Sequence, residues 1–191
     1  MKRVLLAAVL GAIGMFVWMS LAHMVLPLGR IGFSEIPNEP AVLSAMSANL
    51  GDHSGMYIFP DLGVSKNATH AEMNDAMGHY QEKLNLNPSG LLIYHPAGAK
   101  ALAPAQLITE FLTEFVEAFL CSLLLARAAL GSYSKRVAFV TTIGIVAIFA
   151  TNVPYWNWYG FPSDYTIAYM FTQLVGFLVV GLIAGKVLKT V

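Results

Sequence analysis

Glu110, Glu114 and Glu117 stand at i, i+4 and i+7 in a run of otherwise mostly apolar residues, so on a helix all three carboxylates share one face. No Lys or Arg lies in the same half of any apolar run to neutralise Glu114 or Glu117. Carboxylates in such surroundings are costly unless they hold a proton or a cation or face a polar interior, so the stripe has the profile of a proton, cation or metal site. Three further polar residues interrupt the other apolar runs: His23, Asn152 and Gln173. His23 with Glu110 and Glu114 would offer a hard or borderline metal ion its ligands, and a metal is the one cofactor the sequence suggests. The competing reading is structural. Polar side chains in a membrane bundle often hydrogen-bond one another, and Glu110 could simply complement the positive end of its helix.

Several chemistries can be cut down. Bis-histidine haem ligation within the bundle needs a second histidine in the apolar runs, and only His23 is there, so a haem would require a loop histidine as well. A di-iron carboxylate bundle uses Glu-x-x-His pairs, whereas Glu114 is followed at that spacing by Glu117. Neither Gly-x-Ser-x-Gly nor His-Glu-x-x-His occurs. Cys121 is the only cysteine, which rules out an internal disulfide and paired-thiol chemistry.

The elements that must hold these residues are set by composition. The 191 residues are 57% hydrophobic and 12% charged, with a mean hydropathy of +0.62. Lipid must therefore be the solvent for much of the chain. A helix needs about 20 apolar residues to cross a bilayer, and four stretches qualify, at 4–26, 105–130, 137–155 and 165–188. Counting from residue 105 at ~1.5 Å per residue, Glu110 lies about 8 Å deep, Glu114 about 13 Å and Glu117 about 18 Å. His23 and Asn152 fall near the same end of their spans, and Gln173 about 12 Å down the last.

Lys2, Arg3, Arg127, Lys135, Arg136, Lys186 and Lys189 fall on one side if the spans alternate, and no acidic residue joins them. That side is predicted to be cytoplasmic, with both termini on it. At the opposite boundary Tyr155 to Phe161 reads as an aromatic belt with a tight turn, Trp156, Trp158 and Tyr159 lying in the headgroup layer. Lys2-Arg3, an apolar core and Ser20-Leu21-Ala22 also imitate a secretory signal peptide. Against that, the run continues through Trp18 to Leu26.

Residues 29–104 read as an inserted α+β domain. Asn38, Pro40 and Gly51 bracket a short helix over 41–50. Thr69-His70-Ala71-Glu72 matches a capping box opening a helix to about Leu84. The runs 54–60 and 89–96 look alike, each an apolar strand closed by proline, and are expected to pair. His53, His70, His79 and His95 lack ligand spacing, and most of them should be solvated.

The tracts 16–27 and 153–162, with their Leu26-Pro27 and Pro154-Tyr155-Trp156-Asn157-Trp158 signatures, resemble an uncharacterised group of small bacterial four-helix integral membrane proteins. The resemblance implies a bacterial inner membrane and transfers no catalytic residue.

The expected fold is an all-α membrane protein: an antiparallel bundle of four transmembrane helices, with a small α+β extracytoplasmic domain between the first and second. Its parts are a first span at 1–28, the inserted domain at 29–104 and three spans at 105–191. The leading functional expectation is a binding or accessory protein of the cell membrane. It would use the inserted domain and a polar cavity in the outer leaflet to meet a ligand or a membrane-protein partner, with no role for nucleic acid. The alternative is proton, cation or metal handling at Glu110, Glu114 and Glu117 with His23.

Overall fold

The computed structural model describes residues 1–189 and is mostly helical, with one small antiparallel sheet. It divides into two compact units, one made of residues 1–34 with 101 onward and the other of residues 35–100.

The first unit contains four long helices: α1 (Lys2–Met24), α4 (Pro104–Arg127), α5 (Tyr133–Tyr159) and α6 (Ser163–Val187). Of these α1, α5 and α6 are long and apolar enough to cross a membrane. Helix α4 matches them in length at 24 residues but carries the three glutamates. Leu6, Val17, Val146, Ile167 and Phe171 project outward and are at least half exposed. A helix face of that kind is stable against lipid and not against water.

Small residues set the packing. Ala7, Gly11, Met15, Met19 and Ala22 form the buried stripe of α1. A Cβ added at Gly11 would lie 3.3 Å from Ala118 of α4 and 3.5 Å from Val180 of α6, so α1 is wedged between those two helices. Cys121 is buried in the same core and acts as a small apolar residue. The Gly181/Gly185 pair, a GxxxG spacing, lies against Val137 and Tyr133 of α5 and brings the two backbones together.

Helix α5 corrects the sequence expectation at its far end. The span was expected to end at Tyr155 and the tract from Tyr155 to Phe161 to hold a tight turn, yet the helix runs through Pro154 to Tyr159 and stops at Gly160, where φ is 69°. Proline removes one ladder bond and bends a helix without necessarily halting it. The left-handed glycine halts it. The aromatic tract is therefore helical, with Tyr155 and Tyr159 one turn apart and their ring centroids 5.8 Å from each other. Trp156 Nε1 donates to Ser163 Oγ at 3.0 Å and closes the link to α6.

The second unit holds α2 (Glu39–Leu50), β1 (Gly55–Phe59), α3 (His70–Leu86) and β2 (Gly90–Tyr94). The strands pair as expected, with Tyr57 opposite Leu92. The capping box is present: Glu72 N–H donates to Thr69 Oγ1 at 3.3 Å, and Thr69 N–H to Glu72 Oε2 at 2.7 Å. The backbone and hydroxyl bonds from Thr69 hold the Glu72 carboxyl below the usual range. Asn38 caps α2 differently from the expectation. It sits at φ 51° without a side-chain bond, and its carbonyl accepts from Ala41 and Val42. All four histidines of this unit are exposed, where most were expected to be. No residue from 35 to 100 is buried. Hydrogen bonds such as Tyr80 Oη to Pro60 O at 2.9 Å and Tyr94 Oη to Gly51 O at 2.9 Å tie its elements together instead.

Candidate functional site

Helices α1, α4 and α6 meet near Met24, Pro104 and Tyr165, which will be called the aromatic end; the opposite end carries the seven basic residues. His23, in the last turn of α1, donates from Nδ1 to Met19 O at 2.9 Å, as drawn by the acceptor character of a carbonyl. That bond orients the ring and leaves Nε2 for a ligand. Glu110 sits in the second turn of α4, and both side chains line one cavity of about 380 Å³. Phe16, Met19 and Leu107 give that cavity apolar lining, while Ser20, Gln106 and Tyr169 add polar groups. The mixture suits an amphipathic molecule.

His23 and Tyr169 also line a second, smaller cavity of about 170 Å³ with Phe33, Tyr165 and Thr172. The chain after α1 folds back to form it. Phe33 meets Tyr165 edge to face at 5.5 Å, and Gly32, at φ 83°, approaches so closely that a Cβ would fall 2.8 Å from the Tyr165 nitrogen. Trp18 bridges α1 to α6 nearby, its Nε1 donating to Thr172 O at 2.8 Å.

The remaining expected site residues separate into two groups. Asn152 is buried and donates from Nδ2 to Gln173 Oε1 at 3.1 Å, joining α5 to α6. This pair satisfies itself across the helix interface and lies outside the cavity lining. Glu114 behaves otherwise. It is 2% exposed, lies on the buried stripe of α4 with Ala118 and Cys121, and neither carboxyl oxygen has a hydrogen-bond partner. Glu117, one turn further along, is half-buried. Among the described residues, no three His, Cys, Asp or Glu side chains gather as a group that could hold a metal ion.

Ser20, Gln106 and Tyr169 were not singled out from the sequence. Each lies three or four residues from one that was, at Ser20/His23, Gln106/Glu110 and Tyr169/Gln173. Same-face spacing was thus the signal available. Trp156, Trp158 and Tyr159 are exposed at the aromatic end, Trp158 at 80%.

Comparison of the chain with protein-family models, with curated proteins and with solved structures finds no match. The functional reading therefore rests on the geometry of this chain.

Proposed function

We propose that this chain is a multi-pass protein of the bacterial inner membrane that binds an amphipathic molecule in the cavity between α1, α4 and α6. The observation that carries the reading is the shared lining of that cavity by His23 and Glu110 together with the apolar Phe16, Met19 and Leu107. An apolar body would lie against the apolar side chains, and a cationic or hydrogen-bonding head would meet Glu110 and His23 Nε2. In this reading α4 is the fourth span of an antiparallel bundle. Its lipid-compatible face, with Leu112, Val116 and Leu120 each half exposed, supports that. The charge asymmetry supports cytoplasmic termini, an outer-leaflet cavity and an extracytoplasmic unit at residues 35–100, which would serve as a docking surface for a membrane-protein partner.

Orientation is checked by thiol labelling in intact cells, in a Cys121→Ser background. A cysteine at Ser65 is expected to react with an impermeant reagent and one at Ser134 to be shielded; reaction at Ser134 would reverse the topology. Ligand binding is checked with a fluorescent long-chain amine and a fatty acid of equal chain length, using the full chain in detergent. The amine should bind saturably and more tightly than the acid. Glu110→Gln should weaken it about tenfold, the equivalent of one charge-assisted hydrogen bond. Ser20→Trp, which fills the cavity, should abolish binding of both. Binding that ignores Ser20→Trp would show that the ligand does not occupy the cavity.

One observation favours a second reading, in which the α4 carboxylates handle protons or cations. Glu114 is enclosed without a donor, so an ionised carboxylate there would be uncompensated. It would have to carry a proton or receive a cation. Glu110, one turn nearer the cavity, would be its route to water.

A further inference from the structure

We propose that the basic end carries a binding site for a phosphate group, of the kind that an anionic phospholipid headgroup presents. A cavity of about 310 Å³ opens there, lined by Tyr133, Arg136, Gly185, Lys186 and Lys189. Three of these side chains are cations and none is an acid. The sequence offers them no side-chain carboxylate nearby, since no Asp or Glu lies between Glu117 and Asp164 or beyond Asp164.

The centre of the site is built into the fold. Arg136 is 6% exposed. Its Nε donates to Gly185 O at 2.9 Å, and its Nη1 donates to Leu130 O at 2.9 Å and Gly131 O at 3.0 Å. The guanidinium is thus fixed in place by carbonyls that leave its positive charge uncancelled, and its Nη2 takes no part in those bonds. A cation whose side-chain freedom is already lost binds an anion with less entropic cost than a mobile lysine. The positive start of α5 at Tyr133 and the negative end of α6 at Gly185 and Lys186 both border the cavity and offset one another, so its positive character comes from the three side chains. Lys186 and Lys189 are exposed and supply charge at the rim. Basic pockets between spans at the cytoplasmic boundary suit phospholipid headgroups, and the lipid source rests on α5 and α6 lying in the membrane as proposed above.

The test uses the full-length protein in detergent, stripped of lipid and titrated by native mass spectrometry with phosphatidylglycerol, phosphatidylcholine or inorganic phosphate. Phosphatidylglycerol should be retained in preference to phosphatidylcholine. Lys186→Gln/Lys189→Gln should weaken it about 25-fold, at about fivefold per lysine. Lys2→Gln/Lys135→Gln removes the same charge from the same side but outside the cavity, and should leave binding nearly unchanged. Retention of phosphatidylglycerol in excess phosphate would identify the lipid as the source. Saturable phosphate binding that displaces it would identify a soluble phosphate compound. Equal weakening by the two double variants, or no binding of either probe, would overturn the site.

Discussion

Glu114→Leu is expected to make the purified protein more stable to heat in detergent, by about 1–3 kcal/mol, the cost of leaving a buried polar group unsatisfied. Both oxygens of Glu114 are buried without a partner, on a stripe shared with Ala118 and Cys121. Leucine is close to glutamate in volume and brings no polar atom, so the neighbours need little adjustment. Glu114→Gln should give no such gain, because an amide placed there adds unsatisfied donors to an unsatisfied acceptor. The order Leu above wild type, with Gln at or below wild type, is therefore the signature of an unpartnered carboxyl. A Leu variant destabilised by about 1 kcal/mol or more would mean that the side chain has a partner after all. The same variants bear on the second functional reading. If Glu114 exchanges protons or cations, a pH-dependent carboxyl infrared band present in wild type should vanish in both while helix content stays the same. A site maintained against its own stability cost is what a functional role predicts.

Arg136→Ala should act in the opposite direction and lower stability by about 3 kcal/mol, since bonds from charged donors contribute about 1.5–3 kcal/mol each and solvent at the basic end recovers part of the loss. Arg136 joins three carbonyls from two places, the last turns of α6 and the link between α4 and α5. Removing it breaks the bonds to Gly185 O, Leu130 O and Gly131 O together and unfastens the link from α6. Arg136→Lys should recover about half, because an ammonium keeps the charge but cannot span the same carbonyls with a planar fork. Detergent-denaturation midpoints of the full chain measure both variants. A lysine variant equal to wild type would show that charge alone is needed, and a neutral alanine variant would show that the clamp contributes nothing.

Much of the local structure was legible because its signals are local. Thr69 and Glu72 are three residues apart, so their capping box could be read before any fold was known. The strands at 55–59 and 90–94 announced themselves by matching apolar runs closed by proline, and their pairing followed. The extents of α1 and α6 followed from hydropathy, which reports the solvent a helix must face. Helix α4 was harder, since the glutamates that mark it as a candidate site also dilute the signal that marks a span.

What the sequence by itself determined was the inventory: long apolar helices, a stripe of three carboxylates, a small-residue pair at Gly181 and Gly185, and one end with seven basic residues and no acidic one. Only the tertiary structure decided which of these meet. Helical periodicity gives the face a residue occupies, but the neighbour of that face depends on how closely two backbones approach, and glycines set that distance. Hence Asn152 found Gln173, while Glu114 on its buried stripe found no partner. Arg136 was read from the sequence as a loop cation that sets topology. It became a buried clamp because the start of α5 and the end of α6 were brought within reach of one guanidinium, and no pattern of spacing along the chain carries that distance.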